Sequence, residues 1–499
     1  MKWTWTGIVF AALLLPGATA TADGWSGSLR LDKRFGVYDW FEHGQFDTPM
    51  LDMYNKAQLG YEKWLGEDLQ TVVSVQLRFY DQTTATTIDH MTQPERQMEF
   101  QFLPWEIFFK AHDLFVEGLD LSVGKQRVAW GKADKLNPTD RINPPDLSDI
   151  FDFGARVPSP SAVLSYTFPN DFSFTAVWAP TVQPALLYRP LDLSTMLADP
   201  VTIQAQLEAE LLAKYPDLQN MSSGSLPTFA LDSYDQSFRT PSYDFVNSMQ
   251  AARFAWSMLD MDFSVSYFHG FESIPVPTNI YLAPDATALT QAMAGKSESG
   301  IVPASARVDG QYMETHMVGF DLAGDLAGMG FWAEIAVVFP KAVDSSVFLD
   351  AGTLFNAALG HDPAVAVYSY KAVKDEPFVQ YTLGLDYVLP HAMYINFQYA
   401  HGMMFEIGSE NQNDYFILKF DKKFLRDTLR LTLQGGGVIV DWKDIPNQYG
   451  YLANPEIGYK PFDNLELMLG AYVLGGKGPG LFALLEQHDQ IYLRGEARF

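Results

Sequence analysis

The feature that most limits how this chain can fold is a recurring segment of roughly ten residues in which apolar and polar side chains alternate, with no apolar stretch long enough to cross a bilayer as a helix. Val73, Val75, Leu77 and Phe79 fall on one side of such a segment, and Ser74, Gln76 and Arg78 on the other. Met393, Ile395, Phe397 and Tyr399 likewise oppose Tyr394, Asn396 and Gln398; Leu429, Leu431 and Leu433 oppose Arg430, Thr432 and Gln434; Leu465, Leu467, Leu469, Ala471 and Val473 oppose Glu466. A period of two belongs to strands. The pattern predicts strands over 25–35, 53–63, 69–80, 101–112, 119–129, 162–169, 171–179, 250–258, 261–270, 310–321, 329–340, 377–389, 392–401, 412–423, 427–440, 450–461, 464–474 and 489–499, eighteen in all. Their connections sort by length. Short turns such as Pro169-Asn170-Asp171, Leu259-Asp260, Pro390-His391 and Pro461-Phe462-Asp463 alternate with long polar segments. A soluble β-sandwich, which composition alone leaves open, has no reason to sort its loops this way. In hydrocarbon every backbone group must be paired, and strands achieve this only by closing. The expected fold is therefore all-β: a transmembrane antiparallel up-and-down β-barrel of about 18 strands, with long extracellular loops carrying short helices.

Both ends of the chain fit that expectation. Lys2, the apolar run Gly7 to Leu15, the break at Pro16-Gly17 and the small residues Ala18 to Ala22 read as a signal peptide, 1–22, cleaved after Ala20 or Ala22 and leaving 23–499 as the barrel. The last segment places Ile491, Leu493, Gly495, Ala497 and Phe499 on one face, and Phe499 is read as the assembly signal for the barrel-assembly machinery. With no cysteine there is no lipid anchor, disulfide, haem attachment or thiolate metal site. The expected location is the bacterial outer membrane, against its lipid and lipopolysaccharide.

Sixty acidic against 34 basic residues, a formal charge of −26, argue against nucleic acid as a partner. Aromatics are abundant (36 Phe, 24 Tyr, 11 Trp) while mean hydropathy is only −0.06, as alternation requires. Trp25, Tyr80, Trp105, Trp130, Trp178, Trp256, Tyr387, Tyr399 and Tyr472 lie near strand ends and are expected in interfacial girdles.

A barrel of this size encloses an aqueous lumen unless something fills it. Strand parity turns Arg30, Arg78, Glu106, Lys110, Glu334, Asp386, Lys419, Arg430, Glu466, Arg494, Glu496 and Arg498 inward. The set is mixed in sign, so it points to neither anion nor cation selectivity, and lumenal ion pairs bracing the wall are the simpler reading of each residue. The connection 130–161 is dense in Pro, Asn and Asp, which enforce specific turns. It suits a constriction folded into the lumen, with Lys132, Asp134, Lys135, Asp140, Arg141 and Asp146 at the narrowing; the alternative is a rigid hairpin on the rim. Asp140, Asp146, Asp149 and Asp152 are read as solvated surface sooner than as a calcium site, and no metal or cofactor is expected.

Gly124-Lys125-Gln126-Arg127-Val128-Ala129-Trp130-Gly131-Lys132, followed by Asn137-Pro138-Thr139-Asp140 and Asn143-Pro144-Pro145-Asp146-Leu147, resembles a proteobacterial family of porin-like outer-membrane barrels, mostly catalogued as a domain of unknown function. The matching stretch is about 25 residues. The resemblance implies an outer-membrane barrel, with transport or export of apolar compounds beside inner-membrane pumps suggested for some members, and no catalytic residues. Leu119, Leu121 and Val123 would place Lys125 and Arg127 on the lipid face unless a bulge at Gly124 re-aims them.

The connection 180–249 is far longer than an ordinary loop. Asp199 and Pro200 can start a helix with Ile203, Leu207, Leu211 and Leu212 on one stripe, ending before Tyr215-Pro216, as a lid or plug. Asp285 ahead of Ala286, Leu289, Ala292 and Met293 repeats the idea. No nucleophile elbow or His-Glu-x-x-His motif occurs, and the Gly475 to Gly480 stretch lacks the pattern of a phosphate loop. His316 near Glu314 and Asp321 is the one candidate for hydrolysis. The expected function is a non-enzymatic, porin-like channel for small-molecule solutes. The alternatives are a transporter of apolar compounds gated by 180–249, working with a periplasmic carrier or inner-membrane pump, and a poreless structural or hydrolytic barrel.

Overall fold

A computed structural model describes residues 24–38, 52–80, 87–97, 99–152, 154–187, 228–293, 301–350, 352, 356 and 362–499. In chain order the strands are β1 (Trp25–Gly36), β2 (Asp52–Met53), β3 (Asn55–Leu65), β4 (Leu69–Phe79), β5 (Phe100–Ala111), β6 (Leu119–Gln126), β7 (Ser159–Thr167), β8 (Phe172–Ala179), β9 (Thr228–Arg239), β10 (Met249–Met258), β11 (Met261–Phe271), β12 (Val276–Pro284), β13 (Ile301–Gln311), β14 (Glu314–Leu326), β15 (Met329–Pro340), β16 (Val343–Leu349), β17 (Tyr368–Val373), β18 (Phe378–Leu389), β19 (Met393–His401), β20 (Asp414–Phe424), β21 (Leu429–Ile439), β22 (Tyr449–Phe462), β23 (Leu465–Lys477) and β24 (Gln490–Arg498).

Nineteen of these segments form one antiparallel sheet, and β2 and β3 both pair with β1 as two halves of one strand interrupted at Tyr54. The wall therefore has eighteen strands, each matching one of the expected segments. Closure is made by β1 against β24, from Ser28 opposite Arg498 to Gly36 opposite Gln490. Phe499 extends it, exchanging backbone hydrogen bonds with Gly27. Tight turns gather at the end where β1 begins. Leu259 and Asp260 both adopt left-handed φ there, +57° and +59°, the pair a two-residue hairpin needs to match strand twist.

The expected facing of β4, β19, β21 and β23 holds. Ser74, Gln76 and Arg78 are buried inside, whereas Leu77, Phe397, Leu433 and Leu469 stand exposed on the outer surface. Similar outward residues on other strands, among them Phe109, Val265, Ile335 and Leu493, make an apolar exterior that water would not tolerate and lipid solvates. The aromatic girdle needs correcting. Trp25, Trp178, Tyr387 and Tyr399 lie on outward-facing positions, but Tyr80, Trp130 and Tyr472 are buried inside the barrel, and Trp105 lies beneath Lys56 and Arg78. Nearness to a strand end does not fix the face; parity does, and at Trp105 a register shift between β4 and β5 alters parity.

The expected segment 310–321 straddles two strands. β13 ends at Gln311 and belongs to a second, five-stranded sheet, ordered β17-β16-β12-β13-β9 and built wholly from the long connections. Two of its pairings, β12 with β16 and β13 with β9, are parallel and join different connections. The helix Ala286–Met293 forms as expected, with Asp285 Oδ1 accepting the Ala288 N–H at 2.7 Å. Leu289 packs with Val302, Val347, Leu349 and Val367 in that sheet's own core, so the helix's apolar face is occupied. The helix expected from Asp199 lies outside the described residues.

Candidate pore constriction

The chain leaves the wall at Gln126 and rejoins it at Ser159, and the segment between lies inside the barrel. Thr139, Asp140, Ile142 and Asn143 are each 3 % exposed or less, which a hairpin on the rim would not be. Two features of its sequence let it fold there. Asn143 replaces missing backbone partners: its Oδ1 accepts the Val128 N–H at 2.7 Å, and its Nδ2 donates to the carbonyls of Val157 and Gln126. Gly131 (φ +86°) lets a wall carboxylate approach so closely that a Cβ would lie 2.6 Å from Glu334 Oε1.

That carboxylate is one clamp. Glu334, inward on β15 and 2 % exposed, accepts from the backbone N–H of Lys132 and of Ala133 (2.5 Å), from Asn137 Nδ2 (2.9 Å) and from Thr139 Oγ1 (2.9 Å). Across the lumen, Arg34 on β1 donates to both Asp149 oxygens at 2.9 and 2.6 Å and to Asp32 at 2.9 Å. Arg494 on β24 holds Asp32 from the other side at 2.9 Å, and Arg30 reaches Asp149 and Asp152 at 3.4 and 3.3 Å. On β4, Arg78 binds Asp146 at 2.5 Å and Ser148 Oγ at 2.7 Å. Arg141 pairs with Glu272 at 2.5 Å and also donates to Gln380. Within the segment, Arg127 donates to Asp140 at 2.5 Å. Phe151 stacks on Tyr472 with ring centroids 3.9 Å apart.

These pairs are buried, so each carboxylate's charge depends on its partner. Burial works against ionisation of Asp149, yet Arg34 and Arg30 hold its carboxyl well below the usual range. Asp146 is also burdened by burial and is held low by Arg78 and Ser148. At Glu272 burial prevails, and the carboxyl is pushed up despite Arg141.

The six expected narrowing residues divide. Lys132, Asp134 and Lys135 occupy the turn beside Glu334, where Lys132 Nζ meets Asp262 at 3.0 Å, the Asp134 carbonyl accepts from Gln398, and Asp134 and Lys135 are exposed. Asp140, Arg141 and Asp146 are buried in the bonds just described. The inward wall set is likewise paired: Glu106 accepts the Arg127 N–H at 3.0 Å, Lys110 meets Asp120 at 3.0 Å, Lys419 meets Asp421 at 3.2 Å, and Arg430 lies between Glu456 and Glu466 at 3.0 and 2.9 Å. Glu496 lies between Arg30 and Arg498, the latter mostly exposed near the tight-turn end. Sequence reasoning missed Asp32 and Arg34, although both share the parity of Arg30, and Gln380, which shares that of Asp386; for Glu272, just past the end of β11, no local signal existed. The bulge at Gly124 that could have re-aimed Lys125 and Arg127 does not occur. Pairing with β5 and β7 runs unbroken through it, Lys125 stays outside with its amine on the Pro104 carbonyl at 2.7 Å, and Arg127 turns inward because the strand has ended.

The wall around the segment has two characters. On β1, β4 and β24 the buried inward residues are Asp32, Arg34, Gln76, Arg78 and Arg494. Across β8, β10, β11, β14 and β15 the buried inward residues include Val177, Ala251, Phe268, Met317, Ala336 and Val338, one apolar cluster against which Ile142 and Trp130 pack, beside the polar Ser264, Asp321 and Glu334. The constellation of His316, Glu314 and Asp321 is not assembled: Asp321 is buried facing inward with Ser264 and Arg253, while His316 is exposed on the outer face.

No protein-family model and no curated protein matches the chain. Among solved structures, OccAB3 of Acinetobacter baumannii aligns over 96 % of this chain and 99 % of its own, at 9 % identity and TM-score 0.47. The outer membrane protein opdK of Pseudomonas aeruginosa aligns over 95 % and 98 %, at 8 % identity and TM-score 0.44. OmpF of Salmonella typhi, in complex with daunomycin, aligns over 95 % and 97 %, at 8 % identity and TM-score 0.37.

Proposed function

We propose that this protein is a porin-like channel of the bacterial outer membrane, passing small molecules through a lumen narrowed by the segment 127–158. The observation that carries this reading is the segment's attachment to opposite walls, through Glu334 on one side and Arg34 and Arg78 on the other. A packed barrel needs no such crosspiece, whereas a channel needs a narrowing of fixed geometry. Lys132, Asp134 and Lys135 are charged side chains of that narrowing that solvent reaches, and they form its filter; Arg127 and Asp152, also partly exposed, are tied in ion pairs. Asp140, Arg141 and Asp146 set the segment's position. The tight turns face the periplasm, and the second sheet stands outside the cell.

A second reading, passage of apolar solutes, draws on the cluster from Val177 to Val338. If the segment shifts, it uncovers an apolar stripe running over five neighbouring strands. Single-channel recording in a planar bilayer, on the intact protein and on one lacking residues 185–245, distinguishes the two. Stable open steps in the intact protein support the diffusion channel. Silence relieved by the deletion supports gated transport. Silence in both, with folding verified, refutes a pore.

A further inference from the structure

We propose that the outer face of the barrel carries a binding site for one first-row transition-metal dication of the zinc type, formed by His269, Glu314 and His316. The argument starts from strand geometry. Residues two apart on a strand share a face, and so does the residue directly opposite on the neighbouring strand. Glu314 and His316 are two apart on β14, and His269 on β11 is the register partner of His316. Their imidazoles lie stacked, centroids 4.5 Å apart, and ligand atoms of all three residues lie within 4.8 Å of one another.

Zinc bound tetrahedrally to nitrogen and oxygen at about 2.0–2.1 Å needs ligand atoms about 3.3 Å apart. His269 Nε2 and Glu314 Oε1 already stand at 3.3 Å. His316 is exposed, so its ring can close the remaining distance by a small rotation. The supporting contacts have the form such sites use. Tyr267 Oη lies 2.7 Å from His316 Nδ1, so with Nδ1 protonated and donating to the phenol, Nε2 is free for a metal. Lys341 Nζ occupies Glu314 Oε2 at 2.7 Å, leaving Oε1 as the single carboxylate ligand. Two imidazoles and one carboxylate select zinc, copper or nickel over calcium or magnesium, which prefer all-oxygen shells. The fourth position is left to water. The site ties β11 to β14 near the end of the barrel where the second sheet begins.

The test is calorimetric titration of Zn2+ into untagged, chelator-stripped protein in detergent, with folding of every variant checked by heat-modifiable electrophoretic migration. One ion per barrel is expected, with at least a tenfold loss of affinity in His269→Ala and in His316→Ala and a several-fold loss in Glu314→Gln. Cu2+ bound at the same stoichiometry should show hyperfine coupling to two nitrogens in electron paramagnetic resonance, falling to one in either histidine variant. Absence of stoichiometric binding in the intact protein, or binding unchanged in any of the three variants, overturns the site.

Discussion

Replacing Glu334 by alanine is the most discriminating perturbation of the narrowing. The side chain is buried and satisfies donors from Lys132, Ala133, Asn137 and Thr139, so removing it strands four polar groups together. A buried donor left unsatisfied costs about 1–3 kcal/mol. Water entering the vacated space recovers part of this, and the net loss of segment docking is about 3–5 kcal/mol, roughly that of two such groups left unsatisfied. That corresponds to roughly a hundredfold to several-thousandfold increase in the undocked population around residues 131–139. The barrel itself should survive, because β15 pairs with β14 and β18 through backbone groups that the substitution leaves alone. The expected result is fast tryptic cleavage after Lys132 and Lys135, with larger and noisier single-channel steps, in a protein that still migrates as a folded barrel. Glu334→Gln keeps the volume but turns one acceptor into a donor, and should show the same change to a smaller degree. Cleavage and conductance equal to the parent in Glu334→Ala would refute the idea that this carboxylate holds the segment.

Three further outcomes follow from the same geometry. Gly131→Ala should weaken docking by about 1–3 kcal/mol, the range for a side chain forced into left-handed backbone, and the tryptic assay reports it; unchanged cleavage would contradict the close approach to Glu334. Asp149 has a depressed folded pKa, so its contribution to docking is complete above its unfolded value of about 3.9 and fades as pH falls below that. Open-channel noise should therefore rise below about pH 4, and Asp149→Asn should be noisy already at neutral pH with a flatter acid response; identical pH profiles would count against the Arg34 pair. Lysine at Leu431 or arginine at Leu467 places charge on the outer face at about 2–4 kcal/mol if mid-membrane, so folded yield in lipid vesicles should fall, and normal insertion would contradict the facing.

What the sequence determined by itself was the wall. Each barrel strand must show one face to hydrocarbon and the other to the interior, so the period of two is written into Val73 to Phe79 or Leu465 to Val473 with no help from distant residues. Loop lengths then set the two ends of the barrel apart. Tertiary structure alone decided everything that joins the wall to what lies inside and above it. Glu334 lies 202 residues from Lys132, and Arg34 lies 115 from Asp149; parity turned Glu334 inward but could not say that it meets N–H groups and not a cation. The second sheet was illegible for a related reason: its parallel pairs come from different connections, and no local period records which loop meets which. His269 and His316 show the same limit, since only barrel register sets them opposite each other. A strand's face is a local property enforced by solvent, whereas a buried polar partner is chosen by closure of the barrel, which brings together residues whose spacing in the chain carries no trace of it.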